Sequence, residues 1–231
     1  MAVKPQYIAL SPMLGELHWN EPASDSLLAK QLGWLNFINK EFEDQVVERR
    51  QGYTALSIYW KTAENQTAFQ NKLSKFRVHN HELSSKIWEL PVCYDPKYGR
   101  DLGSLAVQHR LTANELIQLH SSVTYRLHFF GFLPGFMYLN GLSEQLHTPR
   151  KPVPDRNVDA GSVAIGGAQT GIYPMESPGG WHLIGRCPVK LFDPEKNPPV
   201  WAEPGDRIKF EPIGLDEMEQ LLQNQPIPKS Q

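Results

Sequence analysis

Between Ser162 and Arg186 the chain reads SVAIGGAQTGIYPMESPGGWHLIGR, and this stretch limits its fold more tightly than any other. Gly166, Gly167, Gly171, Gly179, Gly180 and Gly185 fall within it, so the backbone must bend every few residues. Val163 with Ile165, then Leu183 with Ile184, sit among small or polar residues as short strands do. A phosphate-binding loop is excluded, because Gly166–Gly171 lacks the lysine of GxxxxGK(S/T). The dinucleotide fingerprint fails too, since no strand–helix setting follows. Two readings remain. The glycines supply positive φ at hairpin turns, or they bring bare backbone close to a ligand while Gln169, Tyr173, Glu176 and Ser177 present polar groups to it.

The flanks extend the pattern. From Gly131 to Ile213 short strands are punctuated by Gly and Pro, which points to a β barrel or sandwich and not to βαβ units. The first third reads differently. Strands are expected at 7–10, 16–18, 46–50 and 53–60, the last from the alternation of Leu56, Ile58 and Trp60 with polar neighbours. Leu27, Leu28, Leu32, Leu35 and Ile38 fall at helical spacing behind a Ser24 or Asp25 cap, and residues 65–76 give a second helix. Further elements are a strand over 86–92, a helix over 112–119 with a Thr112/Glu115 capping box, a closing helix over 215–223 and a loose tail over 225–231. The expected fold class is α+β: a two-layer α/β unit over 1–85, then a barrel domain over 86–231.

Composition narrows the function classes. A formal charge of −2 gives no general attraction to nucleic acid or to an anionic membrane. No apolar run approaches the roughly 20 residues of a membrane span. The start, MAVKPQYIAL, lacks the layout of a secretory signal, so a cytoplasmic protein is expected. Cys93 and Cys187 are the only cysteines, too few for a disulfide framework or a cysteine-rich zinc site.

Candidate chemistry is sparse. His120, at a predicted helix end, is either a base or a partner for the last helix carbonyls. His79 and His81 would point one way on a strand, but no third metal ligand is identifiable, so no metal is expected. Cys187 beside Arg186 reads as a small buried residue. Arg150, Lys151 and Arg156 form a basic cluster among prolines, either a solvated loop or a clamp for a carboxylate or phosphate. Glu176 is the best acid–base carboxylate, with desolvation beside Trp181 expected to raise its pKa. No Ser/His/Asp order or GxSxG elbow supports a hydrolytic triad.

GFLPGFMYLNGL (131–142), TPRKPVPDRNVDAGSVAIGGAQTGIYPMESPGGWHLIGR (148–186), LFDP (191–194) and PGDRIKF (204–210) resemble the family of the 5-oxoprolinase B subunit, allophanate hydrolase subunit 1 and the sporulation kinase inhibitor KipI. LPVCYD (90–95) and LIQLHS (116–121) are similar to its middle region. The chain departs from the family at Met137 and Asp159, where proline is common. The resemblance implies a small α/β domain and a cyclophilin-like barrel. It also implies work with a C subunit, of the allophanate hydrolase subunit 2 family, and with an A subunit, opening 5-oxo-L-proline to L-glutamate with ATP and Mg²⁺; the chain alone would be inactive. A fused relative is the carboxyltransferase part of urea carboxylase, which takes a carboxyl group from biotin; biotin is not expected here. The alternative is a KipI-like regulator that inhibits a sensor histidine kinase by direct contact. A prolyl isomerase is a disfavoured third reading, since only the barrel suggests it and nothing here resembles a cyclophilin active-site sequence. In the enzyme reading Arg150 holds a substrate carboxylate and Gln169 bonds the lactam amide. Tyr173 and Glu176 position or exchange a proton, His120 joins them, and Ser177 and Trp181 complete the binding surface.

Overall fold

The computed structural model describes residues 4–224, 226 and 228–231, and the chain divides into two compact units, Met1–Leu83 and Ser84–Gln231. The first unit runs β1 (Gln6–Ala9), β2 (Leu14–His18), α1 (Asp25–Glu41), β3 (Val46–Gln51), β4 (Ala55–Trp60) and α2 (Ala63–Lys72). Its four strands form an antiparallel sheet in the order β1-β2-β4-β3. The alternation in β4 is realised: Leu56, Ile58 and Trp60 are all fully buried. They pack with Leu27, Trp34 and Ile38 of α1 and Phe69 of α2. The Ser24 hydroxyl accepts the Leu27 N–H, and Thr62 does the same for Asn65. The second cap starts α2 two residues before the helix expected at 65, and a 3₁₀ turn over Leu73–Lys75 follows its end. Residues 76–86 form no strand, so His79 and His81 do not share a strand face; Asn36 donates to His81 Nδ1 at 3.1 Å.

The second unit contains β5 (Ile87–Cys93), α3 (Leu102–Gln108), α4 (Ala113–Ser121), β6 (Thr124–Phe130) and β7 (Met137–Asn140). Then come β8 (Asp155–Val158), β9 (Ser162–Gly166), β10 (Gln169–Ile172), β11 (Ser177–Gly179) and β12 (His182–Arg186). It ends with β13 (Arg207–Ile213), α5 (Leu215–Asn224) and β14 (Lys229–Ser230). Seven strands close into a barrel in the order β12-β9-β10-β7-β6-β13-β5, sealed where Arg186 of β12 pairs with Cys93 of β5. Only β5 and β13 run parallel within it. β8 and β11 form a separate two-stranded ribbon.

Leu90 and Val92 of β5, Leu127 of β6, Val163 and Ile165 of β9, Ile184 of β12 and Ile208 and Phe210 of β13 are fully buried in one cluster. Each such side chain contributes roughly 1.5–3 kcal/mol relative to exposure. The expected loose tail is instead tied down. β14 adds to the edge of β5, and Ile87 and Gln231 exchange backbone hydrogen bonds at 3.1 and 2.9 Å. Gln225 and Ile227 of that segment lie outside the described residues. Among the described residues no helix is long and apolar enough to cross a membrane.

The Thr112/Glu115 capping box is formed, with the Thr112 N–H donating to Glu115 at 2.7 Å and the Glu115 N–H to Thr112 at 3.2 Å. Thr112→Ala is expected to lower the stability of the barrel unit by about 1 kcal/mol. Urea denaturation of the full chain, followed by far-ultraviolet circular dichroism, measures it.

Candidate functional site

Strand β9 is buried at all five positions, so it has no solvent face. A strand turns alternate side chains to opposite sides, and the two sides here belong to different cores. Val163 and Ile165 fill the barrel together with Met137, Leu139 and Ile184. The residues between them, Ala164 of β9, Leu183 of β12 and the partly buried Tyr138 of β7, join Phe136, Val158, Tyr173 and Trp181 in a second apolar cluster. On this outer wall lies a cavity of about 330 Å³. Phe132, Phe136, Tyr138, Tyr173 and Trp181 give it aromatic walls, and Pro154, Pro178, Gly179 and Gly180 shape its rim. Arg150 and Lys151 are its charged lining, and no carboxylate is part of it.

The glycines of the opening stretch mostly serve close approach. Gly167 alone among them has positive φ, at +67°. A Cβ on Gly166 would stand 2.5 Å from the Trp181 ring, and one on Gly179 would stand 2.3 Å from the Tyr173 hydroxyl. Both positions must stay bare for the rings to lie where they do. Phe136 meets Tyr173 and Trp181 edge-on, at centroid distances of 5.3 and 5.5 Å. Of the lining, Phe132 is 62% exposed and has φ +65°, a conformation that costs a bulky residue of order 1–3 kcal/mol. The tight loop 131–136 holds it there, with Leu133 N–H donating to Gly131 at 2.7 Å and Phe136 N–H to Leu133 at 3.0 Å.

The electrostatics are asymmetric. Arg150 is exposed, and its guanidinium lies over the Trp181 ring at 5.7 Å. Lys151 is committed: its ammonium contacts Asp101 at 2.6 Å and Asp155 at 2.7 Å, and Arg100 reaches Asp155 at 2.7 Å. Asp101 also accepts the Leu183 N–H at 2.7 Å, which fastens this network to β12. Burial opposes ionisation of Asp155, but hydrogen bonds from Lys151 and Arg100 outweigh it and hold the carboxyl below its ordinary value. Burial raises the Tyr138 and Tyr173 hydroxyls above their usual range, with Arg150 pulling both back in part. Both therefore remain protonated donors at neutral pH.

Of the residues expected from sequence, Arg150, Tyr173 and Trp181 line this cavity, and Gln169, Glu176, Ser177 and His120 do not. Gln169 opens β10, half-buried, opposite Gly166. Glu176 is exposed, so the desolvation expected beside Trp181 is absent. The Ser177 hydroxyl is buried without a hydrogen-bond partner among the described residues. Arg156 is exposed and outside the lining. Lys151 of the expected basic cluster also lines the cavity, whereas Phe132, Phe136 and Tyr138 are lining residues that the sequence reading does not single out. For Phe132 and Phe136 the signal is GFLPGF, an aromatic run interrupted by Gly and Pro where a plain strand has neither.

His120 is built into the barrel interior instead. It is fully buried and stacks on Phe210 at 4.8 Å. Thr170 donates its one hydroxyl proton to the Ala164 carbonyl at 3.1 Å, so at 2.8 Å it accepts from His120 Nε2–H. Nδ1 is then the acceptor for the Tyr94 hydroxyl at 2.8 Å. The ring is a neutral link in a satisfied chain, and burial drops its pKa to about 3. Cys187 is likewise inert: burial pushes its thiol up to about 12 despite the neighbouring Arg186. Among the described residues no group of His, Cys, Asp or Glu is placed to hold a metal ion.

Residues 10–202 match a family model described as carboxyltransferase domain, subdomain C and D. Over 131 residues the chain is 49% identical to the B subunit of 5-oxoprolinase from Escherichia coli O157:H7, covering 57% of this chain and 60% of that one. Over the same number it is 44% identical to the B subunit of 5-oxoprolinase from Bacillus subtilis, covering 57% and 55%. The match thus spans little more than half the length of these relatives. A conserved uncharacterized protein from Pyrococcus horikoshii is 34% identical, with 93% of this chain and 99% of that one covered and a TM-score of 0.56. The K. lactis urea amidolyase shares the fold, at 18% identity and a TM-score of 0.81 over 97% of this chain and 16% of that one.

Two measurements check this geometry. Gly166→Ala is expected to displace Trp181 and destabilise the unit by about 1–3 kcal/mol, read by near-ultraviolet circular dichroism and urea denaturation. His120 is expected to show no NMR titration between pH 8 and 4.5. Its folded pKa lies below the ordinary 6.5, so its contribution to stability is complete above that pH and is lost as pH falls toward 3. The loss from this group is about 1.4 kcal/mol per pH unit between about pH 6 and 4.

Proposed function

The chain belongs to the carboxyltransferase-domain family, subdomain C and D, and on that footing we propose that it acts as the B subunit of an ATP-dependent 5-oxoprolinase, opening 5-oxo-L-proline to L-glutamate together with the A and C subunits. Two relatives carry the name of that B subunit. The observation that carries the reading is the cavity itself, with aromatic walls, one guanidinium over the Trp181 ring and no lining carboxylate. A small planar lactam bearing one carboxylate has the matching features. Its ring lies against the aromatic side chains, and its carboxylate takes the two-pronged hydrogen bonds that a guanidinium offers.

Opening a lactam builds negative charge on the carbonyl oxygen as water adds to the carbon. The C–N bond then breaks and the nitrogen takes a proton. Donors fixed before the reaction stabilise that oxygen most, because they need no reorganisation. Tyr173 and Tyr138 are protonated hydroxyls in the lining and are assigned that task. Gln169, Glu176 and Ser177 would act only through loop movement or through a surface completed by another chain, and His120 is assigned a structural role. The cavity does not fit a nucleoside triphosphate: it offers no glycine-rich loop at a helix start, and Lys151 is already paired. No step through ATP is therefore assigned to this chain. Nucleotide and Mg²⁺ are placed on the assembled complex, and the chain alone is inactive in this reading.

The test is ATP hydrolysis by this chain with the A and C subunits, with and without 5-oxo-L-proline. Hydrolysis that needs the lactam and all three proteins is expected; hydrolysis indifferent to the lactam would sink the proposal. In the active complex Arg150→Gln should raise KM for 5-oxo-L-proline about 30- to 100-fold with a smaller change in kcat. Tyr173→Phe should lower kcat about 10- to 100-fold. Glu176→Ala should change either constant less than about threefold, as expected for an exposed side chain outside the lining.

A further inference from the structure

Resting on that reading of the cavity, we infer that it discriminates by charge, accepting planar monocarboxylates and rejecting dianions, and that Asp101 and Asp155 set this selectivity. Three cations stand at the rim and beside it: Arg100, Arg150 and Lys151. Two carboxylates, Asp101 and Asp155, are held against them at 2.6 to 2.7 Å. One unit of positive charge is left over, and it sits on Arg150, which lies over the Trp181 ring.

The arrangement is compact enough to resist rearrangement on binding. Lys151, Asp101 and Asp155 side chains are 15%, 19% and 25% exposed. Two of the three ammonium hydrogens of Lys151 already face carboxylates, and the Lys151 N–H donates to Gly180 at 2.7 Å, fixing the backbone beside it. A ligand's first carboxylate meets Arg150. A second carboxylate in the same cavity would lose water without gaining an unpaired cation, and it would lie near Asp101 and Asp155. Lys151 therefore shapes and seals the wall, and the two aspartates keep it from acting as a second anion receptor. This separates the cavity from phosphate and dicarboxylate sites, which use several uncommitted cations.

The test titrates the full chain with benzoate, phthalate and 5-oxo-L-proline by calorimetry or ligand-observed NMR. Arg150→Gln serves as the control for site occupancy, and Asp155→Asn and Asp101→Asn are measured separately. The wild-type chain should bind benzoate and 5-oxo-L-proline, lose both in Arg150→Gln, and bind phthalate at least about tenfold more weakly than benzoate. Either aspartate variant should improve phthalate relative to benzoate about tenfold, the effect of one freed unit charge beside the cavity in partly hydrated surroundings. Circular dichroism shows which variants fold, and one folded aspartate variant suffices. Equal binding of benzoate and phthalate, or an unchanged ratio in a folded aspartate variant, would overturn the charge filter and leave the carboxylate site standing. Failure of every monocarboxylate to bind in an Arg150-dependent way would overturn both.

Discussion

The site depends on a wall that must stay dry on both sides. β7, β9, β10 and β12 face the barrel interior with Met137, Leu139, Val163, Ile165, Ile172 and Ile184, and β9 and β12 face the aromatic cluster with Ala164 and Leu183. Strand β9 of this wall has no solvent-facing side on which to place polar residues, and outer positions are small where a ring must lie flat. Gly166 under Trp181 is the clearest instance. Packing at crystal-like density leaves no freedom to enlarge such a position without moving the ring above it. The cavity is what remains when five aromatic side chains, arranged edge to face, cover that wall incompletely.

Polar groups follow two different rules on the two sides. Inside the barrel, His120, Tyr94, Thr170 and the Ala164 carbonyl form one chain in which each donor has an acceptor. A neutral ring is the state such a setting favours, because an imidazolium there would have no counter-charge. Outside, Arg150 keeps solvent contact and its full charge, while Lys151 is half-withdrawn and matched by two carboxylates. In the proposed reading the buried polar chain serves structure and the exposed guanidinium serves recognition.

Much of this was legible in the sequence, and the failures have physical causes. The period-2 alternation of Leu56, Ile58 and Trp60 and the capping box at Thr112 both map onto the structure because each is set by local geometry. The glycine stretch was readable as turns and close approach, but which glycine did which required the rings opposite, since only Gly167 needs positive φ. Arg150, Tyr173 and Trp181 come together because proximity in the stretch and its flank carries over into the fold. Glu176 and His120 lie outside the cavity for opposite reasons. Glu176 neighbours Trp181 in sequence while remaining exposed, and His120 sits at a helix end whose other side is the barrel core. The tail is expected to be loose as a terminal segment, and its pairing with β5 is a long-range contact that local sequence does not encode.

In the proposed reading, stability is carried by the strand interiors of the barrel unit and recognition by the loops beside them. Hydrophobic free energy scales with buried apolar area, and the fully buried side chains of the barrel interior supply most of it. Arg150 and Phe132 are exposed and contribute little of that term; Phe132 even holds an unfavourable backbone conformation. Strain of that kind persists only where surrounding structure over-determines it, and here the tight 131–136 loop does so from above a rigid wall. A rim residue can then change without loosening the barrel. The converse does not hold: Gly166 and Gly179 define the positions of Trp181 and Tyr173, so disturbing the wall moves the rings that shape the cavity.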